Sequence, residues 1–88
     1  MTIQTLAAFR ACNDARAIMR NVSREINAAG NYDTARAALS SAYENAVFVV
    51  CTAKINGSSK RGMRELDRTR EIIDKDFHRY CSEIRNRF

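Results

Sequence analysis

Few residues in this 88-residue chain have the chemistry of a catalyst. Asp74, His78 and Ser82 stand four apart, with Cys81 adjacent: on paper an acid, a base and a nucleophile. Side chains four apart on one helix point the same way, and no oxyanion donors or pocket accompany them. The lone histidine reads instead as a solvated or capping residue. With it, a metal would find two ligands at best. Cys12, Cys51 and Cys81 lie far apart, and an odd count without CxxC spacing gives neither a disulfide framework nor a zinc site. Reduced, buried thiols are expected, and with them a cytoplasmic location. No catalytic residue, metal or cofactor is assigned, and no enzymatic activity is expected.

The residues suited to binding are cations. Arg16, Arg20 and Arg24 form a ladder one turn apart, and like charges at that spacing repel by a few tenths of a kcal/mol each. Acids of a neighbouring helix, such as Asp67, Glu71 and Asp74, are the first expected partners; the alternatives are a solvated face, or a site for an anion or an acidic protein. Arginine's planar fork suits phosphate and carboxylate. A second group, Lys60, Arg61, Arg64 and Arg68, follows the turn Asn56-Gly57-Ser58-Ser59. Free N–H groups at a helix start, two hydroxyls and several cations could hold a phosphate there. The order is not that of a P-loop, and an ordinary serine-capped turn is the simpler reading. Of the aromatic residues, Phe48, Phe77, Tyr80 and Phe88 sit at core spacing, whereas Phe9, Tyr32 and Tyr43 are freer. Phe9-Arg10 could supply a stacking surface beside a cation.

Phe9-Arg10, followed by Asn21 and Arg24, resembles the spacing in helical phage proteins that sequester cyclic-dinucleotide immune signals. The resemblance covers about 16 residues. It implies an aromatic and a cation clamping a base and a phosphate. The basic C-terminal segment departs from that family.

The elements that must carry these residues read as helices. The chain has no proline and three glycines, too few turn-formers for a many-stranded fold. Its hydrophobic content of 45% is enough for a core. Met63, Leu66, Arg70, Ile73, Phe77, Tyr80, Ile84 and Phe88 recur at spacings of three and four, predicting a helix from Ser59 to near Phe88. Such a helix is ~45 Å long, with one end projecting or pairing with a second subunit. Ala35, Leu39, Ala42, Ala46, Val49 and Ala53 predict a middle helix, although AVFVVCT also has strand character. Gly30 is expected as its predecessor's left-handed cap and Asp33 as its N-cap. In the first segment Cys12, Ala15, Met19, Val22 and Ile26 share a face, while Leu6 and Phe9 fall nearly opposite. That predicts a break near residue 12, or an exposed apolar strip. The expected fold is all-α: one domain over residues 1–88, a three-helix antiparallel bundle or a helical hairpin with a long C-terminal helix.

Net charge is +5, distributed as +2 over residues 1–29, zero over 30–55 and +3 over 56–88. The longest apolar run, Ala46 to Cys51, is too short to span a bilayer, and no signal peptide is expected. Two functions follow. The first is a small non-enzymatic adaptor or inhibitor, of the kind found among phage and mobile-element accessory proteins. It would grip a protein partner, with self-association as one route, through an apolar strip including Leu6 and Phe9. The second is nucleic-acid or nucleotide binding through the arginine ladder and the Lys60–Arg68 patch.

Overall fold

With no proline to interrupt it, the backbone forms three helices, each opened by a short polar side chain. The computed structural model describes residues 2–88, in the order α1 (Ile3–Ala28), α2 (Tyr32–Asn56) and α3 (Lys60–Arg87). Thr2, Asn31 and Ser59 are the N-caps, their side-chain oxygens accepting from the amides of Thr5, Thr34 and Gly62. Each such cap is worth about 1 kcal/mol. The cap of α2 is thus Asn31 and not Asp33, which lies within the first turn. There its negative charge favours the helix dipole. Gly30 does not take the left-handed cap conformation; Ala29 closes α1 in an extended conformation, and Gly57 after α2 has the one positive φ among the described residues, 84°.

The three helices pack against one another as an all-α bundle, 45 Å long and 16–17 Å across. They have 26, 25 and 28 residues, so α3 does not project as a long free arm; its length is matched by its neighbours. Consecutive helices run antiparallel, which makes α1 and α3 parallel. Thr5 meets Ser59 at one end (Oγ1 to Oγ, 2.6 Å), and Arg87 donates to Asn27 Oδ1 (2.7 Å) at the other.

The core takes Cys12, Ala15, Met19, Val22 and Ile26 from α1, Leu39, Ala46 and Val50 from α2, and Leu66, Ile73, Tyr80 and Ile84 from α3. Burial of each large side chain contributes roughly 1.5–3 kcal/mol. Alanines on α2 let its neighbours approach closely. Several expectations are corrected. Helix α1 is continuous through residue 12, because Ala8 and Thr5 extend the buried stripe to its first turn. The α2 seam passes through Val50, with Val49 on its flank. Phe48 lies on the opposite side of α2 from Leu39 and is 70% exposed; Phe88, beyond the end of α3, is 46% exposed. AVFVVCT is helical throughout. No buried side-chain nitrogen or oxygen among the described residues lacks a hydrogen-bond partner.

Candidate functional site

Parallel packing of α1 and α3 begins at their capped ends. Ser59 caps α3, bonds Thr5, and through Thr5 reaches Thr2, the cap of α1 (Oγ1 to Oγ1, 2.8 Å). Ser58 donates its hydroxyl proton to the carbonyl of Gln4 (3.2 Å). Both serines of the turn are therefore engaged by α1, and the turn is a structural joint without free hydroxyls for phosphate. Gly62 permits the approach: a Cβ there would collide with Ser58 Oγ and come within 3.1 Å of Ala8 Cβ.

One turn above this joint, the Arg61 guanidinium lies over the Phe9 ring, 5.4 Å from its centroid. From there a groove of about 380 Å³ runs between the helices, lined by Phe9, Asn13 and Arg16 of α1 and by Glu65, Arg68 and Ile72 of α3. Cys12 and Thr69 form its floor. Burial pushes the Cys12 thiol above its usual range, opposed by a hydrogen bond with Thr69. The structure thus brings together four of the expected binding residues, Phe9, Arg16, Arg61 and Arg68, two from each helix. Residues 61, 65, 68 and 72 share one face of α3, a spacing legible in the sequence. Asn13, Glu65 and Ile72 were missed because their significance depends on which helix lies opposite.

The other expected residues are placed elsewhere. Lys60, Arg64, Arg20 and Arg24 are exposed and do not line the groove. Arg10 is exposed and lies about 100° round the helix from Phe9. Arg24 stands 15 residues, or ~22 Å, along α1 from Phe9, so these two residues of one chain cannot clamp a single nucleotide base and its phosphate.

The acids expected to neutralise the arginine ladder do not reach it. Asp67 pairs with Lys54 of α2. Asp74 accepts from Arg70 Nε at 3.2 Å and from the Tyr43 hydroxyl at 2.5 Å. Glu71 is exposed. No salt bridge among the described residues involves Arg16, Arg20 or Arg24, nor Lys60, Arg61, Arg64 or Arg68. The Asp74 bond holds Tyr43's phenol above its ordinary pKa and also raises that of Arg70. With Asp74 so engaged and His78 and Ser82 exposed, those three residues do not assemble. No group of three potential metal ligands converges among the described residues.

The second surface is apolar. Between the start of α1 and the end of α2 lies a groove of about 300 Å³, with Ala7, Ala11, Val49, Ala53 and Thr52 among its walls and Phe48 on its rim. Among the described residues no charged one lines it. Nearby, Ile55 is 85% exposed, Ile3 86% and Leu6 43%. Phe48 and Ile55 are seven residues apart, hence on one face of α2. Phe9, expected in the apolar strip, is instead half-buried beneath Arg61. Among the described residues no helix is long and apolar enough to cross a membrane. Comparison of the chain with protein families, with curated proteins and with solved structures found no match.

Proposed function

We propose that this chain is a small non-enzymatic helical binding protein, an adaptor or inhibitor, which grips another protein chain through the uncharged end of its α1–α2 face. A single observation carries the reading: a groove with no charged lining residue among those described, with Phe48 in its wall and Ile55 and Ile3 exposed on the same ends of α2 and α1, each of the three at least 70% exposed. Single exposed apolar residues are ordinary on a protein surface; several grouped around a groove mark an interaction site. Covering Phe48 or Ile55 would contribute roughly 1.5–3 kcal/mol each, which the isolated bundle forgoes. An exposed aromatic knob beside an apolar hole is also self-complementary under twofold symmetry, so a second copy of the chain is the first candidate partner.

Solution mass by light scattering, at low and high salt, tests this together with affinity capture by the tagged protein. In the wild type, a dimer that survives salt and reverts to monomer on Phe48→Asp supports the reading. So does a monomer that captures a distinct protein which Phe48→Asp and Ile55→Asp both release. A monomer whose captured proteins are unaffected by both substitutions refutes it.

A further inference from the structure

We propose that the α1–α3 groove is a separate site for a small phosphate ester bearing a flat aromatic ring, of the nucleoside monophosphate class. Arg16 and Arg68 come from different helices yet line the same cavity, and no acid forms a salt bridge with either. Glu65 offsets one of these two charges, so the lining keeps a net positive charge, and an anion in the groove neutralises it while receiving hydrogen bonds from the guanidinium forks. The groove's volume, about 380 Å³, falls in the range of roughly 300–1,000 Å³ typical of small-molecule sites.

The same groove distinguishes its ligand from a bare anion. At one end the Arg61 guanidinium lies over the Phe9 ring, and a planar ring would find both an aromatic and a cationic neighbour there. Asn13 supplies a hydrogen-bonding amide, and the Glu65 carboxylate accepts from an amino or hydroxyl group. Glu65 also opposes a high density of negative charge, which favours a monoester over a polyphosphate or a continuous nucleic-acid backbone. The groove between the upper parts of α1 and α2 shows the contrast: among the described residues its lining includes Glu25 but no cation, so it offers an anion no charge complementarity.

Titration calorimetry at low salt, with adenosine monophosphate and inorganic phosphate as probes, tests the proposal. The monophosphate is expected to bind at one site per chain, and inorganic phosphate at least tenfold more weakly for want of a ring, by roughly 1.4 kcal/mol or more. Arg16→Ala and Arg68→Ala are each expected to weaken binding roughly tenfold, the worth of a charged hydrogen bond. Arg85→Ala, in the last turn of α3, is expected to leave it unchanged. All three arginines are exposed, and helicity by circular dichroism verifies folding. Absence of binding, binding that survives both groove substitutions, or equal affinity for inorganic phosphate overturns the proposal. A single-stranded oligonucleotide that displaces the monophosphate at lower concentration overturns it in favour of a nucleic-acid surface. Phe48→Asp leaves this groove untouched, so either surface can fail without the other.

Discussion

Replacing Gly62 with alanine sets two effects of opposite sign against each other. In a helix interior, Gly→Ala ordinarily stabilises by about 1 kcal/mol. Here the new methyl would collide with Ser58 Oγ, sit 2.9 Å from Ser58 Cβ and 3.1 Å from Ala8 Cβ. Overpacking of that kind costs about 1–3 kcal/mol. Moving Ser58 aside would also break its bond to the Gln4 carbonyl, worth about 0.5–1.5 kcal/mol. The steric terms win, and a net loss of about 1–2 kcal/mol is expected. For a domain of this size each kcal/mol corresponds to roughly 4–8 °C in Tm. Urea and thermal unfolding followed by far-ultraviolet circular dichroism measure it. Gly30→Ala is the control, with nothing within 4 Å of the new Cβ and no positive φ; it should stabilise by about 0.4–1 kcal/mol. If Gly62→Ala matches or exceeds the wild type, the close approach of α3 to α1 at Ala8 is wrong, and with it the placement of Arg61 over Phe9.

Other substitutions test the remaining parts. Tyr43→Phe should lose about 1 kcal/mol with its bond to Asp74, measured by urea unfolding. Because the folded-state pKa of Tyr43 is raised, its contribution is complete below the usual phenol value near 10 and fades as pH rises through the folded value. The wild type should therefore lose stability in that alkaline window, and Tyr43→Phe should flatten the decline. Asp67→Asn, at an ion pair with side chains 37% and 63% exposed, should change stability by less than about 1 kcal/mol in the same assay. Iodoacetamide should label Cys51 and Cys81 well before Cys12, which is buried and whose thiol is held up by burial; mass spectrometry of peptides from a time course gives the order. Phe48→Asp should leave the stability of the dilute monomer within about 0.5 kcal/mol of the wild type in urea unfolding, since its side chain has little in the bundle to lose.

The helices and most of the core were legible because apolar residues recur against a charged background. Leu66, Ile73, Tyr80 and Ile84 stand out for that reason, and all four are buried. Phe48 was misplaced for the converse reason. In Ala46–Cys51 every position is apolar, so periodicity cannot say which residues face inward. Thr5 and Thr69 are buried polar residues whose places depend on Ser59 and Cys12, far away in sequence. The caps were half legible. Asn31 and Asp33 are both competent, and the backbone at the end of α1 selects the first. The arginine ladder was visible as a pattern, but not its lack of partners, because Asp67 and Asp74 turn towards α2. Nor could the sequence put Arg16 beside Arg68. That neighbourhood requires α1 and α3 to be parallel and in register, a property of three helices packed together.

An odd number of alternating helices also has a mechanical consequence. Thr2 and the C-terminal Phe88 lie at opposite ends of a rod 45 Å long. A pull between them does not peel a hairpin open turn by turn. It drives α1 and α3 past each other lengthwise, so the contacts along their seam are strained together. Thr5–Ser59 at one end and Asn27–Arg87 at the other both resist that sliding. Traction between the two ends should meet a stiff, abruptly yielding body, whereas traction on the loop between α1 and α2 should unravel it gradually.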